Sequence, residues 1–186
     1  MIASRRHFLA LLAGAFASPA FAEETASRPT AYTYSFKGLA GGEIALSAYA
    51  GKPVLVVNVA ALCGYTPQYT GLQDLFARYR GRGLMVVGVP SNDFFQEPGA
   101  ATEIEATAHQ YKVDFPLTEK AFVKGAGAHP FYRWAALEKP LDPPRWNFHK
   151  YLVGRNGHIA AAFSSSIEPL DARVIAAIEK EFGKEG

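Results

Sequence analysis

The most continuous apolar stretch of the chain is Val54-Leu55-Val56-Val57-Asn58-Val59, rich in β-branched residues. That pattern predicts a central strand covered on both faces. Apolar positions then change period. After Thr66-Pro67, which reads as an N-cap with proline at the first helical position, Leu72, Leu75, Phe76 and Tyr79 fall at i, i+3, i+4 and i+7, the spacing of an amphipathic helix. Leu84-Met85-Val86-Val87-Gly88-Val89 is a second buried strand. A strand, helix and strand in this order demand a parallel pair with a right-handed crossover. Upstream, Tyr32-Thr33-Tyr34-Ser35-Phe36 alternates, Gly41-Gly42 turns, and Glu43-Ile44-Ala45-Leu46 returns, which predicts an N-terminal β-hairpin. Downstream, Thr102 to Tyr111 reads as a helix capped by Thr102, and His129 to Leu137 as a helix with Pro130 in its first turn. Phe148 to Val153 and Ile159 to Phe163 are strands joined by Arg155-Asn156-Gly157, whose Asn-Gly pair is a hairpin signal. Leu170, Val174, Ile175, Ile178 and Phe182 supply the stripe of a last helix, and Ser164-Ser165-Ser166 reads as a turn. With no internal repeat or linker, the expectation is one α/β domain with a mixed sheet, parallel at its centre and antiparallel at one edge.

The first 22 residues read as an address instead of a fold. Ser4-Arg5-Arg6-His7-Phe8-Leu9 opens a short apolar segment that ends at Ala20-Phe21-Ala22, a small-residue cleavage pattern, before polar Glu23-Glu24. Paired arginines followed by x-Phe-Leu look like a twin-arginine export signal, which predicts a periplasmic or otherwise exported domain spanning 23–186. The full chain of 186 residues carries a formal charge of +2. Removing Arg5 and Arg6, and no acid, would leave 17 basic residues against 17 acidic. Nucleic acid is therefore not the expected partner. No apolar run approaches the ~18 residues of a membrane span. The chain is 49 % hydrophobic and 13 % aromatic, enough for a core of its own.

Chemistry is sparse. There is no phosphate-binding glycine loop of either common type, so a nucleotide has no support. His109, His129, His149 and His158 are scattered without metal-ligand spacing, and neither a metal nor a cofactor is expected. The one cysteine, Cys63, excludes a disulfide framework. It lies just beyond a buried strand and just before a helix. The carboxyl ends of parallel strands gather sites in α/β folds, and a helix N-terminus favours the negative charge a thiolate carries. By position alone, Cys63 fits a nucleophile and a small buried hydrophobe equally well.

The residues around it decide. Val54-Leu55-Val56-Val57-Asn58-Val59-Ala60, then Cys63-Gly64-Tyr65-Thr66-Pro67-Gln68-Tyr69, resembles the first signature of the glutathione peroxidase family. Gly88-Val89-Pro90-Ser91-Asn92-Asp93-Phe94 with Gln96-Glu97-Pro98-Gly99 is similar to the second. Ala128-His129-Pro130-Phe131-Tyr132 and Trp146-Asn147-Phe148-His149-Lys150-Tyr151-Leu152-Val153 resemble two further family segments in the right order, so that the likeness spans about residues 31–182. It implies a thioredoxin-like fold, a mixed central sheet flanked by helices with an N-terminal hairpin. It also implies a thiol peroxidase acting on hydrogen peroxide and organic hydroperoxides. Of the family's Cys, Gln, Trp and Asn tetrad, Cys63, Trp146 and Asn147 match. Trp146 and Asn147 are adjacent and would face opposite sides of a regular strand. Sharing one site requires a bend, which Pro143-Pro144 makes accessible.

Two features depart from the family pattern. Asp93 stands where the family has Gln, in a loop one residue short. An ionised carboxylate there accepts hydrogen bonds only and would repel a thiolate. Asp93 could face the sulfur ionised, face it protonated, or turn away to bind backbone N–H groups of its own loop, with Gln96 supplying the missing donor. The turn-like Asn92-Asp93 favours the last of these. Second, thioredoxin-dependent relatives carry a resolving cysteine on the next helix, where this chain has Ala108, so an external thiol such as glutathione or a thioredoxin-type donor must complete the cycle. Selenocysteine is absent. The short span from Pro140 to Arg145 lacks the insertion used by tetrameric relatives, which implies a monomer. A second class of function remains open at this point, a redox sensor or thiol-anchored binder that keeps the fold. Thiol–disulfide exchange is disfavoured because position 66, where a second cysteine would sit, is Thr.

Overall fold

A computed structural model describes residues 28–97 and 99–183. The export signal read at 1–22 lies outside the described residues. Short strands β1 (Ser35–Lys37) and β2 (Glu43–Ala45) form the hairpin, antiparallel with Phe36 opposite Ile44. The main sheet contains β3 (Val54–Val59), β4 (Met85–Pro90), β5 (Lys150–Val153) and β6 (Ile159–Phe163) in the order β4-β3-β5-β6. β3 runs parallel to β4 and antiparallel to β5, and β5 pairs antiparallel with β6 across an irregular step between Leu152 and Val153. Four helices complete the domain: α1 (Gln68–Tyr79), α2 (Ala101–Gln110), α3 (Pro130–Glu138) and α4 (Ala172–Phe182). The sheet is mixed, as expected, but its parallel pair lies at one edge, β4 against β3. The central pair β3–β5 is antiparallel instead of parallel, because β5 arrives from the 146–148 turn and not from a crossover helix. Gly157, at φ +82°, makes the turn from β5 to β6.

Alternation sets the layers. Leu55, Val57 and Val59 of β3 enter one core with Leu72, Leu75 and Phe76 of α1, Ile104 of α2, and Val174 and Ile178 of α4. Val54 and Val56 enter the other core with Phe36 of the hairpin and Phe131, Trp134 and Ala135 of α3. Each such aliphatic side chain, fully buried, contributes about 1.5–3 kcal/mol. The hairpin is a separate sheet tied to the main one through the 117–118 segment: Gly38 bridges Thr118, and Gly88 of β4 bridges Leu117. The approach is close at Gly88, where a Cβ would overlap the end of the Leu117 side chain and make it shift.

Two helix starts differ from expectation. Thr66 does not cap α1. Its hydroxyl turns back to accept from the Cys63 N–H at 3.1 Å and to donate to the Ala60 carbonyl at 2.8 Å. Thr102 does not cap α2, since Ala100 occupies the cap position and its N–H is taken by the Glu103 carboxylate at 2.6 Å. His129 and Asp171 do cap α3 and α4, accepting from Phe131 N–H and Arg173 N–H.

Candidate functional site

Cys63 sits in the turn between β3 and α1 and is only 7 % exposed. The Thr66 hydroxyl staples this turn from inside. The Tyr65 N–H donates to the Cys63 sulfur at 3.4 Å, so a backbone donor is already aimed at the atom on which negative charge would reside. The neighbouring segment holds the turn from outside. Leu62 N–H donates to the Gln96 carbonyl at 3.0 Å, and Ala61 N–H to the Glu97 carboxylate at 2.7 Å. Glu97 is buried, and that burial raises its pKa, opposed by the Ala61 N–H and by Lys120. Beside the turn lies a cleft of about 290 Å³ lined by Ala61, Leu62, Glu97, Gly99, Glu103 and Thr107.

Trp146 and Asn147 arrive on a bend, as the sequence required. The chain turns at 146–148 just before β5, and Phe148 adopts φ +62°. Buried Asn58, at the end of β3, organises the bend: its Nδ2 donates to the Trp146 carbonyl at 3.1 Å, and its carbonyl accepts from Phe148 N–H at 2.6 Å. A positive φ on a side chain of this size is a strained backbone, and it persists because neighbours fix both sides of it. Asn147 is fully buried and donates through Nδ2 to Gln96 Oε1 at 3.1 Å. Trp146 is 40 % exposed, and its ring centroid lies 5.4 Å from that of Phe94.

These contacts connect four of the five residues singled out from sequence. The Cys63 turn touches Gln96, Gln96 touches Asn147, and Trp146 precedes Asn147 on the same bend. Asp93 stands apart. Its Oδ2 accepts from Val123 N–H at 2.6 Å and Lys124 N–H at 3.1 Å. It therefore turns to backbone amides, as favoured, but to those of a distant segment and not of its own loop. In the same loop, Phe95 has φ +59° and is 88 % exposed.

Sequence reasoning missed the supports. Asn58, Thr66, Glu97 and Lys150 are all buried and polar, and each fixes backbone of the site or its neighbours. Lys150 lies within the strand expected from Phe148 to Val153 and within a segment that resembles the family, but neither signal pointed to a buried cation. His149 is buried too, and burial, with the Lys150 charge adding to it, lowers its pKa to about 4, so it is neutral near pH 7. Among the described residues, no three His, Cys, Asp or Glu side chains gather as metal ligands.

The glutathione peroxidase family model matches residues 31–136, ending before the Trp146–Asn147 bend. Curated relatives match a larger share of the chain. A hydroperoxy fatty acid reductase of Synechocystis sp. is 44 % identical over 151 residues, covering 80 % of this chain and 97 % of that protein. A glutathione peroxidase-like peroxiredoxin of Chlamydomonas reinhardtii is 40 % identical over 148 residues, covering 77 % and 91 %. Among solved structures, that of Trgpx in apo form superposes with a TM-score of 0.69 at 32 % identity, covering 84 % of this chain and 98 % of the other.

Proposed function

The chain belongs to the glutathione peroxidase family and is a thiol-dependent peroxidase, and on that premise we propose that Cys63 is the reacting thiol and Trp146, Asn147 and Gln96 its immediate partners. The observation that carries this is the Tyr65 N–H aimed at the Cys63 sulfur, beside a loop bonded to Gln96 and through it to Asn147. The thiolate attacks the outer oxygen of a hydroperoxide. The O–O bond breaks, Cys63 becomes a sulfenic acid, and the departing oxygen takes a proton and leaves as water or an alcohol. The Trp146 indole N–H and the Asn147 side-chain amide would be the donors that stabilise that oxygen. A first external thiol then condenses with the sulfenic acid, releasing water and forming a mixed disulfide, and a second restores the Cys63 thiol as an external disulfide departs.

The surroundings favour an apolar hydroperoxide. Leu62 is 67 % exposed immediately before Cys63, and Phe95 and Trp146 add exposed apolar surface on the segments that bear Gln96 and Asn147. Such a rim suits a fatty acyl chain, consistent with the substrate named for the Synechocystis relative. The absence of a second cysteine anywhere in the sequence supports an external reductant of the glutathione or thioredoxin type. The Arg5-Arg6 pattern supports export with Glu23 as the new N-terminus, and the short 140–145 span supports a monomer.

The test is consumption of hydrogen peroxide and a fatty acid hydroperoxide by the chain beginning at Glu23, with glutathione and thioredoxin compared as reductants. Cys63→Ser should reduce turnover at least ~10³-fold with both peroxides, and Lys at both Arg5 and Arg6 should abolish export on fractionation. Turnover that survives Cys63→Ser would overturn the assignment.

A further inference from the structure

Lys150 is completely buried, the only lysine or arginine in that state among the described residues. Its Nζ donates to three oxygens from three places: Gln68 Oε1 at 2.7 Å, the Phe148 carbonyl at 2.7 Å and the Ile167 carbonyl at 2.8 Å. An ammonium has three N–H donors and so matches this cage. A neutral amine has two, and its lone pair would face the third oxygen. Gln68 is the first residue of α1 and carries the network on, donating to the Ser165 carbonyl at 2.7 Å and to Glu168 Oε1 at 3.3 Å.

Building such a cage is poor economy for stability alone, since well-packed apolar side chains of similar volume often serve as well or better. Its location gives it another purpose. Phe148 is the strained residue that follows Asn147, and its backbone is held at both ends: N–H to Asn58, carbonyl to Lys150. The same nitrogen holds the start of the helix that follows the Cys63 turn. Resting on the assignment of Cys63, Trp146 and Asn147 above, we infer that Lys150 is a positioning residue: its ammonium fixes the Trp146–Asn147 bend against the start of α1, and loss of its proton loosens the bend.

Burial lowers the Lys150 pKa to about 7, opposed by Glu168, so the proton is lost within an accessible range. Of the groups around it, Glu168 faces the ammonium from the turn after β6, His149 precedes it on the chain and is neutral well below this range, and α1 presents the neutral Gln68. A lowered lysine pKa means the folded state binds fewer protons than the unfolded chain between about 7 and the ordinary 10.5. Stability therefore rises with pH across that window while the bend loosens, and the two readouts move in opposite senses. A purely structural lysine would not separate them.

The experiment uses the chain with Cys63→Ser and Trp134→Phe, which leaves Trp146 as the only tryptophan and removes thiolate quenching. Emission maximum, acrylamide quenching and Tm are followed from pH 5.5 to 9.5. The expected result is a single inflection to a redder, more quenchable Trp146 while Tm rises. Adding Lys150→Met should give the loosened spectrum at every pH. In chains that retain Cys63, Lys150→Met should slow oxidation by hydrogen peroxide at least tenfold after division by the measured thiolate fraction, with Lys150→Arg recovering part of the loss. An unchanged Trp146 signal across pH, or one that Lys150→Met leaves as in its parent, overturns the inference. If Lys150→Met does not fold, the pH titration of the parent decides. If Cys63 itself fails to react with peroxide, the peroxidase assignment falls, while the emission titration still reads the bend.

Discussion

Strand β3 and the approach to its neighbour β5 lie side by side in the sheet, both buried, and differ sharply in composition. β3 is aliphatic on both faces until its fifth residue, Asn58. β5 is approached through buried Asn147, Phe148 and His149 and begins on Lys150. In β3, burial itself is the return, and any side chain of suitable shape would serve. On the approach to β5, the buried polar groups bear a desolvation cost, which the proposed site would account for. Some of that cost is visibly unrelieved: Asn147 Oδ1, His149 Nε2 and Asn58 Oδ1 are buried without a hydrogen-bond partner. The contrast sets an aliphatic strand beside the polar approach to its neighbour, with Asn58 as the joint between them.

Leu55→Ala is the strongest test of the stable side. It should cost about 3 kcal/mol, or very roughly 6–12 °C in Tm for a chain of this size, by opening a cavity in the core. The peroxide rate of the folded fraction should stay within about twofold. A large loss of rate without loss of Tm would erase the division between the strands. Asn147→Ala is the converse. Removing one placed donor typically costs on the order of 10²-fold in rate, whereas half-buried Gln96 can turn its freed oxygen to water, so thermal stability should change little. Equal loss of Tm and rate would show that Asn147 is structural. The smallest effect is expected at Asp93, which belongs to neither strand. Asp93→Ala strands the Val123 and Lys124 amides and should cost about 1–2 kcal/mol. Turnover should remain within about threefold, and a marked rate increase would show that the carboxylate reaches the sulfur after all.

What could be read from sequence follows the same division. β3, β4 and α1 were legible because hydrophobic period is a local property, and their core contacts repeat it residue by residue. The bend at Trp146 was legible as a necessity, from two adjacent donors and the Pro143-Pro144 that precedes them. The caps were misread for a physical reason: a threonine hydroxyl near a helix start seeks a backbone partner, and sequence does not say on which side. Thr66 found its partners upstream, in the cysteine turn. Asp93 found its amides some thirty residues downstream, beyond any local rule. Lys150 was the least legible, because lysine is among the residues least often buried. Its three acceptors, on α1, on the bend and after β6, come together only in three dimensions.

The irregular step between Leu152 and Val153 bears on how this molecule meets copies of itself. On one side of the main sheet, β4 is screened by the 117–118 segment that also reaches the hairpin. On the other, β6 is the outermost strand, with a sequence of Ile159-Ala160-Ala161-Ala162-Phe163. It contains no lysine or proline, the residues that commonly deter an exposed strand from recruiting another chain. Its defence is geometric. β6 is five residues long, and its ladder with β5 shifts register at that irregularity; such interruptions disfavour the flat template that strand addition needs. Edge-to-edge association is thus discouraged here by shape, and a change that regularised the 152–153 step would be the one to invite it.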